Sequence, residues 1–326
     1  MLEKMKEFFA ARVEGYEEHM MTEVQGCKNA YAEMAKLVPD TCGKLLDLGC
    51  GTGLELEAIF NKLPNLEVTG IDLTEEMLEK MVEKFSDKKI TAVCGSYFDV
   101  CFGAETYDCV VSFETMHHFP KAAKVGLYEK IYKALKPGGV YIECDYMVTD
   151  QEEEDHWYAE KERLWKELRI AEGEVYHYDT PCTIENQIAM VLASGFSQAE
   201  KVFREENTTI IVAKKAKKYF CTEEERQGTC YHEFQKGKWD EHTFWKEDSL
   251  LIHDDVHLEL KLYGLFKQVL PQYDAYGDVE VNKAQWQQIY AMAEEIGGDI
   301  FDAIKEADVW AQECFETEEV FWMLGI

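Results

Sequence analysis

The chain has 326 residues, 46% hydrophobic and 30% charged, a composition that fits a globular protein long enough for two cores. Its 64 acidic residues against 34 basic ones leave a formal charge of −30, which disfavours nucleic acid as a partner because that binding rests on basic groups displacing counterions. No apolar run approaches the roughly 20 residues of a membrane span, and the acidic N-terminus lacks the uninterrupted apolar stretch of a secretory signal. The 11 cysteines are scattered with no CxxC pair, so they read as reduced thiols in a cytoplasm.

Residues 1–40 read as a helical cap, since LEKMKEFFAARV and CKNAYAEMAKLV space apolar residues at helical intervals before Pro39. From residue 41 the rhythm changes. KLLDLG, EVTGID, ITAVCG, YDCVVSF, VYIECDY and TTIIVAKK are short apolar strands. LELEAIFNKL, TEEMLEKMVEKF and KVGLYEKIYKALKPGG are the helices between them. Such alternation predicts a mainly parallel sheet covered on both faces. Residues 147–182 form an insert, with DQEEEDHWYAEKERLWKEL as a helix and GEVYHYDTPCT as an ordered loop. Thr183 can cap the next helix, IENQIAMVLAS. GFSQAEKVFREENTTIIVAKK then closes the sheet with an antiparallel hairpin at its edge.

The lysine-rich KKAKKY, Lys214 to Tyr219, marks the end of this domain at about residue 218. Residues 219–326 hold 24 acidic and 8 basic residues and read as a separate, acidic, mainly helical α+β domain. HEFQKGKW suggests a hairpin around Gly237, and HDDVHLELKLYGLFKQVL a single helix ending before Pro271. VEVNKAQWQQIYAMAEEI suggests a strand, an Asn282 cap and a helix. His253 and His257 are four apart, a spacing that puts two imidazoles on one helical face as in zinc hydrolases. No third ligand stands out, and no metal is assigned. Phe234, Trp239, Phe244 and Trp245 read as a small core. The domain's task is open between capping a pocket, forming a homodimer and binding a partner.

The strongest signal is KLLDLGCGTGLELEAIF. A strand ends in Gly49-Cys50-Gly51-Thr52-Gly53 and a helix follows at once. Glycines let the chain turn sharply and bring a ligand against backbone. Asp72 ends the second strand, 19 residues after Gly53, where an acid can hold both hydroxyls of a ribose. A nicotinamide dinucleotide usually meets GxGxxG. The GxGxG here follows Asp47, an acid that would repel a pyrophosphate and suits a cationic ligand.

Together, LLDLGCGTG, GIDLTEEML, YDCVVSFETMHHF and ALKPGG resemble the successive motifs of class I S-adenosylmethionine-dependent methyltransferases, over about residues 30–215. The resemblance implies a Rossmann-like seven-stranded sheet, mostly parallel with its last strand antiparallel, and S-adenosylmethionine as cofactor. It implies that Asp47, Gly49, Cys50, Gly51 and Gly53 face the methionine part of that cofactor. Asp72 would take the ribose, and Leu73 and Met77 would line the adenine. The acid that often binds the adenine amino group is replaced by Ser96, with Tyr97 as a stacking partner. Phe113 and, from the N-terminal helix, Tyr16 complete the expected cofactor wall.

The ends of strands four and five should flank the transferred methyl. His117, His118 and Glu114 are therefore the catalytic candidates, as proton acceptors or as groups that orient the acceptor. Glu114 and Asp145 form a thin carboxylate signal for a divalent ion. Tyr146 and the insert aromatics Trp157, Tyr176 and Tyr178 are candidates for binding the acceptor, which the acidic composition suggests is a small molecule. RNA or protein methylation, and a non-catalytic cofactor-binding module with an interaction domain, stand as alternatives. Two prolines and a tyrosine after strand four, the mark of amino methylation on adenine or cytosine, are absent.

Overall fold

A computed structural model describes residues 2–171 and 173–326. The chain divides into two compact units, with the division between Ala216 and Lys217. Among the described residues, no helix is long and apolar enough to cross a membrane.

The first unit opens with α1 (Met5–Ala10), a 3-10 turn (Val13–Gly15), α2 (Tyr16–Thr22) and α3 (Cys27–Leu37). It continues with β1 (Lys44–Leu48), α4 (Leu54–Lys62), β2 (Glu67–Asp72), α5 (Glu75–Lys84), β3 (Lys89–Cys94), β4 (Tyr107–Phe113), α6 (Lys121–Ala134) and β5 (Leu135–Tyr146). The helices α7 (Gln151–Leu168) and α8 (Ile184–Ala193) follow, then the hairpin β6 (Gln198–Glu205) and β7 (Thr208–Lys214). The seven strands lie in the order β3-β2-β1-β4-β5-β7-β6. Those from β3 to β5 pair in parallel, and β7 runs antiparallel to both of its neighbours. The order reverses between β1 and β4, so a crevice opens at the carboxyl ends of these strands, where open α/β sheets bind ligands.

Alternation along the strands builds a core on each face. Leu45, Cys109 and Val111 pack with Leu56, Ile59 and Phe60 of α4 on one side. Leu46, Leu48 and Val110 pack with Leu127, Tyr128 and Ile131 of α6 on the other. The first turn of β5 departs from expectation. KPGG lies in the strand rather than at the end of α6, because Gly138 takes φ +77° and its N–H donates to the Ala216 carbonyl. Behind β5 lies a polar network. The Tyr141 hydroxyl donates to Glu143 at 2.9 Å, Gln187 of α8 also donates to Glu143, and Lys124 of α6 reaches Gln187 at 3.3 Å. Burial, aided by Asp145, pushes the Glu143 carboxyl up to about 7, so near neutral pH the network holds a proton that water would otherwise take.

The N-terminal segment is tied to the insert. The Met5 N–H donates to the Val175 carbonyl at 3.1 Å, and the His177 N–H to the Glu3 carbonyl at 3.0 Å. Phe8 stacks on His177 with ring centroids 3.6 Å apart. Cap and insert thus form one cover over the sheet's carboxyl edge. Gly26, at the head of α3, lets that helix approach the β6–β7 hairpin: a Cβ there would lie 2.7 Å from the Glu205 carbonyl oxygen.

The second unit holds β8 (Phe220–Cys221), β9 (Tyr231–Lys236), β10 (Leu250–His253), α9 (Asp254–Glu259), α10 (Leu262–Val269), β11 (Asp278–Asn282), α11 (Lys283–Ile296), α12 (Gly298–Thr317) and β12 (Val320–Leu324). Its five strands form an antiparallel sheet in the order β11-β12-β9-β10-β8. Asn282 caps α11 through a reciprocal pair with Gln285. Three expectations are corrected. The hairpin expected around Gly237 forms between β9 and β10, but across a long loop, residues 237–249, rather than within HEFQKGKW. HDDVHLELKLYGLFKQVL is not one helix, because Lys261 turns left-handed at φ +54° and splits it. Of the four aromatics expected as a small core, only Phe234 is buried with Phe266, Trp286 and Phe321. Trp239, Phe244 and Trp245 cluster on the loop, and Phe244 is exposed.

Gly26 has φ +86° and a crowded Cβ direction, whereas Gly15 has φ −108° and open space. Gly26→Ala should therefore cost roughly 2–3 kcal/mol of unfolding free energy in urea titration, while Gly15→Ala should be neutral or slightly stabilising.

Candidate functional site

The site begins where β1 stops. Gly49, Gly51 and Gly53 all take positive φ, at +73°, +49° and +72°, conformations that other residues adopt only with strain. The Gly49 and Cys50 N–H groups donate to the Ile71 carbonyl at 2.8 and 3.2 Å, which holds the turn against β2. A Cβ on Gly49 would lie 2.7 Å from Thr115 Oγ1, and one on Gly51 would lie 3.5 Å from the Tyr16 ring. These two glycines therefore keep a narrow cradle open. A Cβ on Gly53 would press on Phe85 and Met81 at about 3 Å, so that glycine serves helix packing. Asp72 is fixed by two backbone donors: Gly51 N–H to Oδ2 at 3.0 Å and Thr74 N–H to Oδ1 at 2.8 Å.

A small cleft of about 50 Å³ runs past these groups. Gly49, Gly51, Asp72, Leu73, Met77, Tyr97, Phe113 and Tyr16 line it, together with Glu114, Thr115 and Phe119, and Met5 and Phe9 of the cap. Most of the predicted cofactor residues are thus brought to one place. Ser96 is not among them. Its hydroxyl accepts the Phe98 N–H at 3.2 Å inside the local turn, and Tyr97 points inward instead, with its hydroxyl 2.9 Å from Thr115 Oγ1. Asp47 and Cys50 lie behind the turn, fully buried, and Gly53 stays outside the cleft.

Asp47 is fully buried beside the turn without a basic partner among the described residues. Apart from the neighbouring Glu55 carboxyl, its oxygens have no partner among the described residues. Burial, then the proximity of Glu55, pushes Asp47 well above the usual carboxylate range. Burial likewise takes Glu55 up to about 7. Two carboxyls so placed hold a proton between them at neutral pH, and a cation beside the turn would relieve them. The cradle, the fixed Asp72 and this acid pair fit S-adenosylmethionine, which carries an ammonium, a sulfonium and a ribose. Bound there, the cofactor would supply an activated methyl group.

Beside the cleft lies a cavity of about 830 Å³ that shares Phe9, Tyr16 and Glu114 with it. Its walls come from the cap, from β4 and β5 ends, from the insert and from the β6–β7 hairpin. His117 and His118 occupy a 3-10 turn directly after β4, so both face the same volume. The His117 Nδ1 lies 2.7 Å from Asp145 Oδ1 and 3.6 Å from Glu114. Burial alone would lower His117, but Asp145, Asp179 and Glu114 outweigh it and raise it to about 9. His118 sits in the opposite state. Burial, and then the charge on His117, lowers it to about 4. Its Nδ1 lies 3.2 Å from Asp179 at an angle that makes no hydrogen bond. Glu114, at φ +48°, is pushed up to about 8 by burial, with His117 opposing. The Thr208 hydroxyl faces its Oε1 at 3.3 Å.

Of the predicted acceptor residues, Tyr146 lines this cavity. Trp157, Tyr176 and Tyr178 do not: Tyr176 and Tyr178 pack on Trp165 of α7, with centroids 6.1 and 5.6 Å away, and Trp157 packs on Tyr178 at 6.3 Å, in the insert's own aromatic cluster. His177 faces the cavity in their place, because the extended loop alternates its side chains. Asp179, Arg12 and Thr208 escaped the sequence reading. They come from the insert, the cap and the hairpin, and no local motif links them.

The family described as "Methyltransferase domain" matches residues 45–139. The sterol 24-C-methyltransferase of Debaryomyces hansenii is 32% identical over 120 residues, covering 35% of this chain and 31% of that protein. The 24-methylenesterol C-methyltransferase 3 of Arabidopsis thaliana is 30% identical over 118 residues, covering 34% and 32%. The chain thus spans about a third of the length of the curated relatives it matches. Human N-acetylserotonin methyltransferase, solved with S-adenosylmethionine, has a TM-score of 0.47 at 17% identity over 65% of this chain and 56% of that one. The glycine turn, the strand order and the match over residues 45–139 agree: the matched residues carry a methyltransferase domain of the class I S-adenosylmethionine-dependent kind.

Proposed function

We propose that this protein transfers a methyl group from S-adenosylmethionine to a small-molecule acceptor held in the 830 Å³ cavity. The observation that carries this reading is the shared wall: Phe9, Tyr16 and Glu114 border both the glycine cleft and the cavity. A methyl presented from the cleft would meet an acceptor across that wall. The cavity falls within the ~300–1,000 Å³ usual for small ligands. The cleft, at about 50 Å³, is far below that range because Met5, Phe9 and Tyr16 close it. Cofactor entry therefore requires the cap to swing away.

Displacement at a sulfonium needs alignment more than activation, and a base only where the acceptor must lose a proton. His117 keeps its charge to about pH 9 and is tied to Asp145, so its part is to orient and to hold positive charge. His118 is neutral above about pH 4, so its ring can accept a hydrogen bond from the acceptor, while a group held that low is a weak base at neutral pH. Arg12, Glu114, His118, His177 and Asp179 place polar groups in walls that are otherwise mainly apolar, with Phe8, Phe9, Met20 and Val24 among them. That lining suits an acceptor with an apolar body and a polar end, a description that includes the sterols for which the relatives above are named. The formal charge of −30 also speaks against RNA as the acceptor.

Asp72→Ala should weaken S-adenosylhomocysteine binding roughly 100-fold or more in calorimetry, because it removes a fixed acceptor for the ribose. A change of less than about threefold would overturn the cofactor assignment. With an acceptor found by screening metabolites against methyl-labelled cofactor, His118→Ala should lower kcat/KM by roughly 10-fold, through the lost hydrogen bond to the acceptor, while leaving S-adenosylhomocysteine affinity near wild type. Unchanged kcat/KM would remove that orienting role.

A further inference from the structure

The second unit buries a histidine pair that neither its core packing nor the methyl-transfer reading uses. His232, on β9, and His257, on α9, are each no more than 2% exposed, and their rings stack with centroids 4.1 Å apart. Asp254, the first residue of α9, puts Oδ1 2.9 Å from His232 Nε2 and keeps a partly exposed side chain. The expected partnership of His253 with His257 does not form. His253 ends β10, and its Nδ1 accepts the Asp255 N–H at the start of α9, so it is not on the face that carries His257. The fold instead recruits His232 from a strand that lies more than 20 residues upstream.

The geometry points to a divalent transition-metal site, zinc being the best match, formed by His232, Asp254 and His257. Two imidazoles and one carboxylate are a donor set that suits zinc and its neighbours in the first transition series. One donor atom from each residue lies within 4.8 Å of the other two. Donors bound to one zinc at about 2.0–2.1 Å stand roughly 3.3 Å apart in a tetrahedron, so modest side-chain movement closes the set. The His232–Asp254 distance is already in that range.

A second observation comes from His257 alone. Its Nε2 lies 2.9 Å from the Tyr273 hydroxyl, and its Nδ1 is buried without any partner among the described residues. If Nε2–H donates to Tyr273, the Nδ1 lone pair is left bare, which is how an outer partner presents a ligating histidine to a metal. A buried nitrogen with no partner costs stability that a metal ion would restore. The ring planes are inclined at 30°, so coordination by both requires one ring to rotate about χ2, a torsion with a broad well. The exposed side of Asp254 leaves room for water or an exogenous ligand as the fourth donor.

The test uses the full chain, freed of metal with a chelator and titrated with zinc chloride against a chromophoric competitor. Cobalt(II) absorption serves as the spectroscopic readout, and circular dichroism verifies folding. The first unit also holds histidines and carboxylates, so the decisive quantity is the zinc equivalent lost by each variant. Wild type should take up one equivalent that Asp254→Asn and His257→Gln lose. Tyr273→Phe should weaken that equivalent by roughly 10-fold, and His253→Ala should leave it unchanged. If His257→Gln does not fold, Asp254→Asn, on the open side of the cluster, decides the question. No zinc uptake by wild type, or uptake unchanged in folded Asp254→Asn, would overturn the site.

Discussion

The first unit turns on a buried acid pair. Asp47 at the end of β1 and Glu55 in the first turn of α4 face each other beneath the glycine turn, and no basic side chain neutralises Asp47 among the described residues. A folded chain tolerates such a pair only by holding a proton there or by meeting a cation. The rest of the site is arranged around the same spot. Gly49 and Gly51 clear the backbone, Asp72 is pinned by two N–H groups, and Tyr16 covers the opening. A ligand with positive charge at one end and hydroxyls at the other complements that layout.

Cap, insert and hairpin meet over this edge, and their linkage couples the two compartments. The cap is held to the insert by two backbone hydrogen bonds and by the stack of Phe8 on His177. The Thr180 N–H and hydroxyl both donate to the His117 carbonyl. A movement of the cap that admits cofactor therefore pulls on the loop that carries His177 and Asp179, and through Thr180 on the histidine turn. The two histidines are driven to opposite charge states by this crowding. Asp145 and Asp179 stabilise the His117 imidazolium, and that charge together with burial keeps His118 neutral. Adjacent residues of one type thus acquire different chemistry from their surroundings alone.

What the sequence made legible is what local pattern controls. Strand–helix alternation, the GxGxG turn and the acid at the end of β2 each depend on short-range geometry, and the seven-stranded sheet forms as that pattern implies. Ser96 misled because its place after β3 says nothing of where its hydroxyl turns, and the turn's own Phe98 N–H claims it. The insert aromatics misled for a related reason. Tyr176 and Tyr178 find Trp165, a partner on the same insert, and Trp157 packs on Tyr178, so the three turn to one another rather than to the cavity. Asp179 and Thr208 were invisible because they reach the site through tertiary contacts between segments far apart in the chain. In the second unit, the helical spacing of HDDVH pairs His257 with the wrong residue. His253 belongs to β10, so helical spacing does not apply to it, and only the sheet brings His232 to His257.

The central claim is that the Asp47–Glu55 pair carries a proton which a cationic cofactor displaces. The most direct measurement is calorimetric binding of S-adenosylmethionine, with no acceptor present, at pH 7 in buffers of different ionisation enthalpy, comparing wild type with Glu55→Gln. The account predicts release of close to one proton per ligand bound by wild type and markedly less by Glu55→Gln. Tight binding with an observed enthalpy that does not depend on buffer, or no binding at all, would contradict it.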